Sequence, residues 1–203
     1  MTLSLRDIKH SLTEQTIIEK ALALFREHGF DQVSVKQIAK AAMVSEKTIF
    51  NYFPYKELIV LAGFQPQLND VMDTIQQQID EITEPTEVLR NFSTSLAELC
   101  LADQALASIV IAELLTLDPA RLAQSMRYIP DPNAPIRTVM TLARAQGKLH
   151  SEISVEYATE FFLSSVLNVI RTNFASGHVE RIRPMLGVTL EIFLCGAFRS
   201  PQD

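Results

Sequence analysis

The 203-residue chain has no tryptophan, only two cysteines and six glycines, and no uninterrupted apolar run of membrane length. Cys100 and Cys195 stand 95 residues apart in apolar surroundings without a CxxC pair. That spacing shows no disulfide pattern and fits a reduced, cytoplasmic setting. The longest apolar stretch, 185–198, contains Thr189 and Glu191. It falls short of the roughly 18 to 20 residues of a membrane helix, so no membrane partner is expected. The N-terminus carries charges and lacks a signal-peptide core. There is no GxGxxG, HExxH, GxSxG or phosphate-loop pattern, and no histidine follows a glutamate by three residues. No catalytic residue, metal or cofactor is therefore assigned. Asp70 and Asp73 share a helical face but read as solvated acids.

An excess of positive charge is also missing. The formal charge is −6, which argues against a protein that coats nucleic acid, yet the charge is unevenly placed. Residues 1–58 hold eight Lys/Arg against seven Asp/Glu, and residues 59–203 hold ten against seventeen. A nearly neutral head on an acidic body suits a DNA reader joined to a larger domain.

What the chain does have is helical periodicity with 47% hydrophobic residues, ample for a core. In Ser34–Lys56, Val35, Ile38, Ala39 and Ala42 recur at spacings of three and four, and Ser34 with Gln37 forms a capping-box pattern. Ser45 is the N-cap of a second short helix that Pro54 stops. Ile49, Tyr52 and Phe53 face inward; Glu46, Lys47, Phe50 and Asn51 face outward. Two short helices joined this tightly read as a helix-turn-helix, whose second helix fits a major groove about 12 Å wide. A preceding helix, Thr13–His28, is expected to end in a Schellman motif at Gly29, completing a three-helix head. Residues 1–12, with Arg6, Lys9 and His10, read as a solvated arm within reach of phosphate.

With Leu24-Phe25, Gly29-Phe30, Ile38-Ala39, Ala41-Ala42, Val44-Ser45, Thr48, Tyr52-Phe53 and Lys56-Glu57-Leu58 in this order, the run from Ile17 to Ile59 resembles the DNA-binding domain of the TetR (tetracycline-repressor-like) family of bacterial transcriptional regulators. The resemblance implies that Ser34, Thr48 and Lys56 touch phosphates and that Ser45, Lys47 and Asn51 reach bases or backbone, with Lys36, Phe50 and Tyr52 on the same interface. Two residues depart from the family pattern. Met43 replaces the usual glycine of the connection, so either the turn avoids positive φ or methionine tolerates it. Phe50 replaces a tyrosine and loses a hydroxyl.

Beyond the head the chain reads as helical to its end: an all-α protein with a head over 1–56 and a helical ligand-binding and dimerisation domain over 57–203. A long helix, 56–82, contains Pro66, expected to bend it near Phe64–Gln65. Further helices are expected at 85–102, 105–117, 120–128, 135–146, 155–175 and 182–198, with a proline-rich loop at 129–135. The last two are apolar nearly all round and imply a partner. Phe161, Phe162, Ser165, Val169, Leu186, Leu190, Phe193 and Ala197 are the expected homodimer interface. Phe92, Leu96, Cys100, Glu113, Met126, Met140, Arg144 and Asn168 are candidates for lining an effector pocket.

The function expected is a homodimeric regulator of double-stranded DNA, a repressor binding a palindromic operator and relieved by a small apolar or amphipathic molecule. A small helical enzyme, or an interaction module that does not bind DNA, is the alternative.

Overall fold

The computed structural model describes residues 4–81 and 84–198; the side chains of Leu5 and Arg6, and Ile82 at the expected end of the long helix, lie outside the described residues. Among the described residues there are ten α-helices, one 3-10 turn and a single isolated β-bridge, between Leu149 and Phe198. The helices are α1 Leu5–His28, α2 Val35–Ala41, α3 Glu46–Tyr52, α4 Glu57–Glu81, α5 Pro85–Ala102, α6 Gln104–Leu114, α7 Pro119–Ser125, α8 Asn133–Ala145, α9 Val155–Ser176 and α10 Ile182–Ala197. They form two compact units: residues up to Pro66 together with Ser108–Ile129, and Gln67–Ala107 together with the chain from Pro130 on. The boundary expected after residue 56 falls inside the first unit, whose contacts run on to Pro66 and take in Ser108–Ile129.

In the first unit, α1 starts at Leu5 rather than Thr13. Ser4 and Asp7 form a capping box: the Asp7 N–H donates to Ser4 Oγ and the Ser4 N–H to the Asp7 carboxylate, each at 3.2 Å. The hydrogen bonds from Ser4 hold the Asp7 pKa below its ordinary value. The expected arm is thus helical over residues 5–12. At the other end Gly29 has φ 84° and ψ 146°, outside the left-handed helical region, so the expected Schellman motif does not form. Ile17, Ala21 and Phe25 of α1, Ile38 and Ala39 of α2, Ile49 of α3, Phe53, and Leu58 and Ile59 of α4 make the buried core of the head. Gly63 lets α4 lie directly on α1, since a Cβ there would stand 2.5 Å from Leu22 Cδ1. Helix α4 continues through Pro66, whose missing N–H leaves the Ala62 carbonyl without its helical donor.

In the second unit α5, α8, α9 and α10 pack on one another. Phe92, Phe162, Phe193 and Phe198 form a buried aromatic cluster with neighbouring centroids 5.3–6.0 Å apart. Helix α8 starts at Asn133, inside the expected proline loop, with Asp131 accepting the Asn133 N–H at 2.9 Å. Gly147 and Gly177, both at positive φ, close α8 and α9 with the paired bonds of a Schellman motif. No single helix among the described residues is long and apolar enough to cross a membrane.

Candidate nucleic-acid interface

The helix-turn-helix is fixed by local hydrogen bonds. Ser34 caps α2 as expected: its Oγ accepts the Gln37 N–H at 3.3 Å and its own N–H donates to Gln37 Oε1 at 2.8 Å. Ser45 caps α3, accepting the Thr48 N–H at 3.0 Å, and its hydroxyl pairs with Thr48 Oγ1 at 2.8 Å. Between them Met43 adopts φ 55°. Its N–H reaches the Lys40 carbonyl and the Val44 N–H reaches the Ala39 carbonyl, the two bonds of a Schellman motif with methionine where glycine is favoured. The connection keeps the geometry a glycine would give it.

This arrangement turns one face of α3 outward. Glu46, Lys47, Phe50 and Asn51 are exposed, as are Ser45 and the neighbouring Lys36, while Ile49 and Phe53 anchor the opposite side. Tyr52 is half-buried against α1, its ring centroid 4.4 Å from that of His10. That contact is visible only once α1 is known to begin at Leu5. The face offers an amide and a cation suited to base edges, with hydroxyls and cations around it suited to phosphates.

Lys56, the expected phosphate ligand at the start of α4, is also tied into the head itself. It is half-buried, and its Nζ donates to the carbonyls of Phe30 at 2.6 Å and Val33 at 2.9 Å while lying 4.1 Å from the Phe30 ring centroid. Two of its three donors therefore hold the loop that precedes the Ser34 cap.

Next to it is a charged network without a sequence signal. Arg121 of α7 forks onto the Glu113 carboxylate of α6, with Nε 2.9 Å from Oε2, and also meets Glu57 at 3.2 Å. Its guanidinium lies over the Tyr55 ring at 4.4 Å, and the Tyr55 hydroxyl donates to the Arg121 carbonyl at 3.1 Å. The hydrogen bond to Glu113, helped by Glu57, raises the Arg121 pKa further above its ordinary value. Glu113 is 4% exposed, so its charge is compensated within the first unit.

Glu113, a candidate for lining an effector pocket, is thus committed to a pairing with Arg121 in the first unit. Met126 likewise lies in the first unit, exposed at the end of α7. In the second unit Phe92, Cys100 and Met140 are core side chains, and burial pushes the Cys100 thiol up to about 11. Leu96 is half-buried, Arg144 donates to the Ile153 carbonyl, and Asn168 is exposed and accepts from Arg171 at 2.8 Å. Six of the eight expected interface residues, Phe162, Val169, Leu186, Leu190, Phe193 and Ala197, are buried within the protomer, because helical periodicity cannot separate an intramolecular stripe from an intermolecular one. Phe161 is exposed and Ser165 half-exposed. The apolar side chains left outside are Tyr157 and Phe161 on α9 and Met185, Val188 and Ile192 on α10.

Residues 17–62 match the model of bacterial regulatory proteins of the tetR family, and residues 66–196 that of the C-terminal domain of TetR/AcrR family transcriptional repressors. The fatty acid metabolism regulator protein of Bacillus subtilis (strain 168) is 31% identical over 181 residues, spanning 89% of this chain and 93% of that protein. FadR of Thermus thermophilus, a TetR family repressor solved with lauroyl-CoA, superimposes with a TM-score of 0.80 at 28% identity, over 93% of this chain and 97% of the other. FadR of B. subtilis, solved with stearoyl-CoA, shares the fold with a TM-score of 0.72 at 21% identity, over 90% and 98% of the two chains. With a capped recognition helix and both halves matched, the chain belongs to the TetR family and is a DNA-binding transcriptional regulator, not an enzyme.

Proposed function

We propose that the protein is a homodimeric repressor that binds a two-fold symmetric operator through α3 and is released from it by a long-chain acyl thioester held in the second unit. The observation that carries the DNA half is the outward α3 face, with Lys47, Phe50 and Asn51 presented on a helix whose Ser45 cap and Met43 turn are fully hydrogen-bonded. The acyl-thioester class is supported by the two relatives at 28–31% identity, one a fatty acid metabolism regulator and one solved with lauroyl-CoA.

The dimer half is supported by the exposed apolar side chains of α9 and α10 and a shallow groove of about 640 Å³ lined by Pro184, Gly187, Val188, Ile192 and Cys195 together with the paired Arg90 and Glu191. Gly187 and Gly196 have no atom within 4 Å of where a Cβ would stand, so nothing inside the protomer requires glycine. A mid-helix glycine costs about 1 kcal/mol relative to alanine, and a second helix approaching closely accounts for it. Two-fold pairing would space the recognition helices about 34–36 Å apart or a multiple of that.

The test is selection of bound duplexes from genomic DNA, followed by fluorescence anisotropy on the winner with lauroyl-CoA, free coenzyme A or laurate added. Palindromic half-sites and release by lauroyl-CoA alone are expected. A selected site without two halves counts against the dimer, and unchanged binding with lauroyl-CoA counts against the effector class.

A further inference from the structure

We infer that Phe50 and Met43 are specificity residues that read thymine through its C5-methyl group, so that each operator half-site carries thymines whose methyls, rather than hydrogen-bonding edges, are recognised. The inference rests on the DNA-binding reading and extends it to base identity.

The observations concern the recognition helix and the turn that leads into it. Phe50 is 49% exposed on α3, between Lys47 and Asn51, and has no aromatic partner among the described residues. Met43 is 89% exposed at the entry to α3. Among the described residues these are the only large apolar side chains exposed between Leu12 and Leu115. Met43 also holds φ 55°, a conformation that disfavours any side chain with a Cβ. The two Schellman bonds account for this φ, but they would form equally well with glycine. What the turn does not account for is a methionine side chain left 89% exposed there, and a contact outside the chain does.

The chemistry then narrows the contact. Neither side chain donates a hydrogen bond, and thioether sulfur accepts only weakly. Among base edges in the major groove the one apolar group is the thymine methyl, since the others present donors and acceptors. Cytosine lacks it, so exposed apolar side chains on the recognition helix and its entry turn favour T·A over C·G. Lys47 and Asn51 beside them supply the polar half of the code, with the amide suited to adenine and the ammonium to guanine.

The experiment uses the full chain and its selected duplex. Each thymine of a half-site is replaced in turn by deoxyuridine, which removes one methyl and leaves pairing intact. The wild-type protein should lose about three- to five-fold in affinity at one or two positions, as expected for one methyl removed from apolar contact. Phe50→Ala should abolish the penalty at one position, and Phe50→Leu, which keeps apolar bulk, should retain part of it. Met43→Gly should abolish the penalty at the other without lowering thermal stability. Replacing a T·A pair at such a position by 5-methylcytosine·G should bind better than unmethylated C·G. Equal wild-type affinity for thymine and deoxyuridine at every position overturns the inference while leaving DNA binding intact, as does a deoxyuridine penalty unchanged in both Phe50→Ala and Met43→Gly. If the wild-type protein selects no sequence, the DNA-binding reading fails first and the inference with it.

Discussion

The Val44 N–H donates to the Ala39 carbonyl at 3.0 Å across Met43, closing α2 with methionine in the left-handed position. A Cβ there costs roughly 1–2 kcal/mol. Glycine removes that cost but loses more backbone entropy on folding, leaving a net gain of about 0.5–1 kcal/mol. Met43→Gly is therefore expected to raise the unfolding free energy by that amount in urea titration. A less stable variant would show that the methionine side chain holds the turn.

Lys56 and Lys47 should separate by what they affect. Lys56→Met removes two charge-assisted bonds to the Phe30 and Val33 carbonyls and is expected to cost about 2 kcal/mol. Lys47→Ala, on an exposed side chain, should leave the melting temperature unmoved. It should instead lower the log–log salt slope of operator binding by about one unit. Anisotropy titrations over a salt series, beside thermal melts, check both.

The Arg121 network predicts strong non-additivity. Arg121→Met strands a buried carboxylate at Glu113 and should cost about 3–5 kcal/mol, whereas combining it with Glu113→Met should recover most of the loss. Glu57→Gln removes only the half-exposed arm and should cost less than about 1 kcal/mol. Urea denaturation of the wild type, Arg121→Met, Glu113→Met and the double variant completes the cycle, and additive losses would sink the reading of Glu113 as neutralised by Arg121.

Two neighbouring residues of α10 distinguish core from dimer face. Ile192 is 68% exposed and Leu190 is 1% exposed. Ile192→Glu should leave helicity intact and sediment as a monomer. Leu190→Glu should unfold the second unit, as a charge placed in an apolar core must. A dimeric Ile192→Glu protein would move the interface elsewhere.

Acid sensitivity has a small, local contribution at Glu84. Its carboxylate accepts from Lys148 Nζ, chiefly, and from the Thr86 hydroxyl at 2.9 Å, which holds its pKa below the ordinary carboxylate value. A folded pKa below the unfolded one stabilises at pH above the unfolded value, and the benefit disappears as pH falls through the folded value. Both side chains are more than a third exposed, so screening keeps the contribution below about 1 kcal/mol. Lys148→Met should lose this at neutral pH and match the wild type below the carboxylate range, as followed by denaturation at stepped pH.

The parts legible in the sequence are those written locally. Ser34 and Ser45 cap their helices through bonds three residues away, so α2 and α3 fall where expected. The start of α1 was hidden because its box uses Asp7 at the position where glutamate or glutamine is the usual signal. Arg121 and Glu57 are far apart in the chain, and nothing in the periodicity of either helix announces their pairing. On α9 and α10 apolar residues occupy nearly every face, so the sequence marks both helices as buried without saying which stripe the protomer itself covers.

The close seat of Gly63 on Leu22 has a mechanical consequence. A methyl at position 63 would force the Leu22 side chain to give way, so the depth at which the opening turns of α4 seat on α1 is set by a side chain that is not there. Within the first unit the spacing of these two helices is therefore written at one position, and any residue larger than glycine rewrites it.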